Sequence, residues 1–128
     1  MNYNVFLSVS LGAPRDHHSI FIEHGKDGYG TVVQVTGNIQ TGMTFEVKTN
    51  NRPESLPEFF NKEPLGWVSS EDLNRVRRVC AAIPPPKKQF EGPKRLYPAE
   101  PLRRCQEWTK EAIEALVAQG ILHVENRP

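Results

Sequence analysis

Two cysteines, no long apolar run and almost no excess charge of either sign mark this chain of 128 residues. No stretch approaches the roughly 20 apolar residues that a membrane-spanning helix requires. Met1-Asn2-Tyr3-Asn4 lacks the basic segment of a secretory signal, and serines interrupt the apolar run from Val5 to Leu11. These absences lead to an expectation of a cytoplasmic or nuclear protein without a membrane span. In such a compartment Cys80 and Cys105 are expected as free thiols rather than as a disulfide. No internal repeat is present, and no His/Cys spacing suits a structural zinc. Neither a metal nor a cofactor is therefore expected. The segment from Gly25 to Gly30 is not a phosphate-binding loop, because no Lys-Ser/Thr and helix follow it.

What the chain does have is turn formers, with 11 prolines and 9 glycines, and an uneven charge distribution. Between Arg75 and Arg104 nine Lys/Arg stand against Glu91 and Glu100, a net of +7, offset by acidic flanks to a total of +1. Such a run reads first as a solvated basic surface. Aromatics interleave sparsely there (Phe90, Tyr97), which argues against nucleic acid as the partner. Composition leaves a small-molecule, lipid or peptide substrate open.

The length fits a single domain over residues 1–128. Its first half reads as strands. Val5, Leu7, Val9 and Leu11 alternate with Phe6, Ser8 and Ser10, and a turn follows at Gly12-Ala13-Pro14. His18, Ile20 and Ile22 alternate with His17, Ser19 and Phe21 in a second strand. A loop at Gly25 to Gly28 leads to a third strand, Thr31 to Thr36. After Gly37-Asn38 a fourth runs from Met43 to Lys48. Residues Asn50 to Pro64 read as irregular, with a short strand at Leu65 to Val68.

The second half reads as helices. Ser69 and Asp72 resemble a capping box, and Leu73, Val76, Cys80 and Ile83 follow at helical spacing until Pro84-Pro85-Pro86 stops them. A basic, proline-rich loop spans 84–101, a length that is often functional. The last helix is expected from about Leu102 to Gln119, with Pro101 at its start and Gly120 as its cap. Ile121 and Leu122 are placed to pack back on the core, and the final residues to fray. His24 and His123 read as surface residues. The whole is an α+β fold: a small antiparallel sheet against two or three helices.

Cys105 is the residue best placed for chemistry. It shares one helical face with Thr109, Ala112, Ile113, Leu116 and Val117, and it lies in the first turn. A helix N-terminus lowers a thiol's pKa, and Arg103 and Arg104 are expected to push the same way. The competing reading is that Cys105, like Cys80, is a small apolar core residue. Trp108 reads as packing and Gln34, taken by itself, as an ordinary surface residue on a strand. A thiolate nucleophile needs a histidine partner. His17 and His18 open a strand after a turn; alternation points them to opposite faces and leaves open which one meets Cys105.

His17-His18-Ser19-Ile20-Phe21-Ile22 resembles the His-x-(Ala/Gly/Ser)-Ile-(Tyr/Phe)-(Val/Ile) strand of circularly permuted papain-like proteins, the lecithin retinol acyltransferase-like enzymes and desumoylating-type peptidases. Their order of His, polar strand residue and helix-borne Cys is matched by His17, Gln34 within Val32-Val33-Gln34-Val35, and Cys105-Gln106-Glu107-Trp108. The resemblance implies Cys105 as nucleophile, His17 as base with His18 as the alternative, and Gln34 as the residue that orients the ring. It implies a thiol hydrolase or acyltransferase acting on an amide or ester. The acyltransferase-like enzymes usually have His where Gln34 stands and Asn where Arg104 stands. Those departures favour an alternative, a non-catalytic binding module of the same fold whose basic Pro-rich loop contacts an anionic partner. The Arg104-Cys105-Gln106-Glu107-Trp108 helix behind a Pro-rich loop also resembles a set of small uncharacterised fungal proteins, a likeness that implies no activity.

Overall fold

The spacing of β-branched residues and turn formers in the first half gives strands that return on one another in sequence. A computed structural model describes residues 1–12 and 15–124. It has β1 (Asn2–Ser10), β2 (His17–Glu23), β3 (Gly30–Asn38), β4 (Gly42–Asn51) and β5 (Phe59–Ser69), then α1 (Leu73–Ala81), a small hairpin of β6 (Phe90–Glu91) and β7 (Lys94–Arg95), and α2 (Cys105–Ala118). The five long strands form one antiparallel sheet in the order β4-β3-β2-β1-β5. The expected turn at Gly12-Ala13-Pro14 and the terminal residues fall wholly or partly outside the described residues. The class is α+β, one antiparallel sheet with two helices. Among the described residues no helix is long and apolar enough to cross a membrane.

Helix α2 lies on β2 and β3, and α1 packs against α2. Trp108, Ala112 and Leu116 meet Val5, Ile20, Ile22, Val33 and Val35 in the core, with Val76 and Cys80 from α1. Trp108 is fully buried and donates its indole N–H to the Ile83 carbonyl at 3.1 Å. The helical stripe is thus Cys105, Trp108, Thr109, Ala112 and Leu116, while Val117, expected on it, is exposed. After α2, Gly120 takes φ +70 and Ile121 and Leu122 turn back into the core.

Several expectations are corrected. In β2 the run Ser19 to Ile22 is buried on both faces. The face away from the helices carries the Phe6–Phe21 cross-strand pair, covered by Lys62, whose Nζ lies 4.4 Å from the Phe6 ring centre. Lys62 is itself held by Glu23 at 3.0 Å and Glu54 at 2.9 Å. In β1, Leu11 lies past the strand and is exposed, whereas Ser8 is buried. Residues 59–64 are not irregular but the first half of β5. Pro64 is tolerated because β5 is an edge strand in this sheet and a register shift opposite Val5 and Phe6 falls there. The third and fourth strands run on to Asn38 and Asn51, and the turn between them is at residues 39–41. There Asn38 Oδ1 accepts from the backbone N–H groups of Gln40 and Thr41.

The Ser69–Asp72 capping box is replaced by a single bond from the Glu71 N–H to Ser69 Oγ, ahead of a short 3₁₀ turn. His123 is not a free surface residue. It stacks on Trp67 with ring centres 4.1 Å apart and exchanges backbone hydrogen bonds of 2.9 and 3.0 Å with it. His24 is half-buried and bonded to Thr31 Oγ1 at 2.7 Å.

Candidate active site

A buried glutamine sets where the last helix begins. Gln89 is 6% exposed; its Oε1 accepts from the Arg103 N–H at 2.9 Å and its Nε2 donates to the Arg103 carbonyl at 2.7 Å. This holds Arg103 in non-helical backbone. Glu107 Oε1 then accepts from the Arg104 N–H at 2.7 Å, closing the helix start from inside its first turn. So α2 begins at Cys105 and not near Leu102.

The first turn of α2 is stitched to the start of β2. Thr109 Oγ1 donates to the His18 carbonyl at 3.3 Å, Gln106 Nε2 donates to the Asp16 carbonyl, and Cys105 Sγ lies 4.0 Å from that same carbonyl oxygen. The ladder between β2 and β3 runs only from Ile20–Val33 to Glu23–Gly30. Residues 17–19 are therefore unpaired with β3. Across this opening His17 Nε2 reaches Gln34 Oε1 at 2.8 Å. A carbonyl oxygen only accepts, so the ring donates from Nε2 and Nδ1 is left for the thiol. Gln34 is not a surface residue: it is buried, at 7% exposure, and its Nε2 donates to Glu46 Oε1 at 2.7 Å.

Both titrating groups are shifted, in opposite directions. Burial pushes the Cys105 thiol up, but contact with His17 and the His18 backbone N–H outweigh it, and the pKa is lowered. Contact with Cys105 raises His17; burial opposes this, and the bond to Gln34 adds to it. The two arginines expected to act on the thiol do not carry its shift. Arg103 is engaged by Glu111 through bonds of 2.9 and 2.8 Å. Cys80, by contrast, is fully buried and pushed up to about 12 by burial.

The structure thus brings Cys105, His17 and Gln34 together. The ring of His18 is not part of this arrangement; only its main chain is. Cys105 and His17 line a cleft of about 360 Å³, walled by Arg15, Asp16, Met43 and Arg104 among others. That falls within the roughly 300–1,000 Å³ of small-ligand sites. The basic, Pro-rich loop does not wall the cleft: among the described residues none of 84–101 lines it. Instead it backs the 37–43 wall, through Met43 N–H to the Pro86 carbonyl at 2.8 Å and Gln89 N–H to the Ile39 carbonyl at 2.7 Å. Among the described residues no cluster of His, Cys, Asp or Glu could hold a metal.

Glu46 was not anticipated from the sequence. The β3–β4 register identifies it: counting back from the Asn38–Gly42 pair places Gln34 opposite Glu46.

The fold and site define an α+β domain with a cysteine–histidine pair at the mouth of a cleft. The chain belongs to a family of unknown function (DUF6540), whose model matches residues 5–123 and so includes every residue of the site. No curated protein and no solved structure matches it.

Proposed function

We propose that this protein is a thiol hydrolase or acyltransferase of the permuted papain-like kind, acting on an amide or ester carbonyl. The observation that carries the reading is that Cys105 and His17, from two separate elements, line one cleft, with the ring bonded at 2.8 Å to Gln34 on a third. The thiolate, with its proton held by His17, attacks the carbonyl carbon. A carbon–sulfur bond forms and the carbonyl π pair moves to oxygen. The N–H groups of the first helical turn have no partners inside the helix and face such an anion favourably. Collapse re-forms the C=O, expels the amine or alcohol, and returns the His17 proton to it. Water or a second acceptor then releases the acyl group from sulfur.

The test is iodoacetamide labelling of Cys105 and Cys80 across pH, read by mass spectrometry, beside acetylation by p-nitrophenyl acetate. Labelling of Cys105 well below the free-thiol pKa of about 8.5, lost in His17→Ala and kept in His18→Ala, with acetylation confined to Cys105, is the expected result. Slow labelling of both cysteines, with no acetylation, would leave the domain as a binding module and sink the enzymatic reading.

A further inference from the structure

The direction of every hydrogen bond leading away from Cys105 is decided at the far end of the chain of contacts. Glu46 is a carboxylate, and a carboxylate accepts only. It is fixed on β4 directly opposite Gln34 on β3, and its Oε1 lies 2.7 Å from Gln34 Nε2. Only the amide NH₂ can face it there. The Gln34 carbonyl oxygen must then point the other way, at His17, where it accepts at 2.8 Å. An amide alone carries no such direction, because turned over it would present its NH₂ to the ring. Turned over, it would demand an unprotonated Nε2 and put the ring's proton on Nδ1, the nitrogen that the Gln34 bond leaves for the thiol.

We propose that Glu46 is a positioning residue that, by locking the Gln34 amide, holds His17 in the tautomer whose Nδ1 is free to take the Cys105 proton. This deepens the thiol-enzyme reading and rests on it. Glu46 reaches the ring by hydrogen bonds only through Gln34, and its charge also helps to raise the His17 pKa. Its own carboxylate is shared with Lys48, whose Nζ lies 3.6 Å from the same Oε1. The charged and titrating groups that meet along this line are Lys48, Glu46, His17 and Cys105. The Glu46 side chain is 38% exposed, so replacing it leaves the core intact.

The experiment reads the ring directly. Nitrogen NMR of His17, in a Cys105→Ser background above the histidine titration range, reports which nitrogen holds the proton. Glu46→Lys presents a donor to Gln34 and should invert the amide, moving the proton from Nε2 to Nδ1. In the Cys105 protein the same change should slow iodoacetamide labelling at neutral pH by about tenfold, the equivalent of one pKa unit. The pair Gln34→Glu with Glu46→Gln again sets an acceptor against the ring and a donor behind it, and should restore both readouts. An Nε2 proton that stays put in Glu46→Lys, with an unchanged labelling profile, overturns the inference. If the proton moves as expected while Cys105 shows no activated labelling even in the unaltered protein, Glu46 still orients the ring and the thiol-enzyme reading fails instead.

Discussion

His17 and Cys105 stabilise each other's charged forms, and the sign of that coupling makes the residue scale testable. Burial alone would raise the thiol, as it does at Cys80, which is pushed to about 12. Removing His17 leaves burial opposed mainly by the His18 N–H. His17→Ala should therefore move the labelling midpoint of Cys105 upward, while Cys80 stays unreactive in the folded protein. Gln34→Leu removes the acceptor of the ring proton without touching the thiol. Labelling at neutral pH should then fall by about tenfold for each pKa unit lost. An unchanged midpoint in either variant would mean that the imidazole does not govern the thiol.

At the scale of elements, two contacts decide where segments start and meet. Gln89 holds both backbone groups of Arg103, so Gln89→Leu leaves a partly buried N–H and a partly buried carbonyl without their partner. A loss on the order of 2–4 kcal/mol is expected by urea denaturation, together with slower labelling of Cys105 as the helix start loosens. Gly66 is the other. At φ +154 a Cβ there would stand 2.0 Å from the His123 carbonyl oxygen, so Gly66→Ala must push the C-terminal segment off β5. Backbone amide exchange at Trp67 and His123, now protected by their mutual bonds, should accelerate.

These elements also mark how far the sequence could be read. Alternation and turn residues located four strands, and helical spacing with Pro84 and Gly120 located both helices, because those signals are local. The first half of β5 was missed because Pro64 and a run of charged and polar residues hide a strand whose bulge is visible only from its pairing with β1. The start of α2 was placed too early, since Pro101 is a local signal and Gln89, twelve or more residues away, overrides it. Cys105 was legible from its place in the first turn of a helix, whereas His17 and Gln34 were singled out only by the resemblance of their strands to a known family. Glu46 was not, because one acidic residue on a strand has no meaning until the register sets it against Gln34.

For the whole molecule, the basic segment proves to be partly neutralised by acids within it and on the helix that follows. Arg103 pairs with Glu111, Lys87 with Glu100 and Lys88 with Glu91. The hydrogen bond from Arg103 holds Glu111 below the usual carboxylate range, against a smaller opposing effect of burial. A carboxylate with a depressed folded pKa adds stability above its unfolded pKa, and that contribution disappears as pH falls through the folded value. Glu111→Gln should thus be less stable than the parent at neutral pH and converge with it in acid below the ordinary glutamate range. Urea midpoints across pH would show this, and high salt should shrink the gap, since both side chains are partly exposed. A gap that persists in acid would assign it to packing rather than charge.

The residues of the cleft are far apart along the chain, and the thiol comes last. His17, Gln34 and Glu46 leave the ribosome well before Cys105, and the sheet that carries them is synthesised before the helix that carries the sulfur. A nascent or C-terminally truncated chain would hold His17 and the residues behind it without Cys105. Even a complete chain would show an ordinary thiol until α2 docks on β2. Reactivity at Cys105 should therefore lag behind strand formation during refolding and serve as a chemical clock for the final docking step.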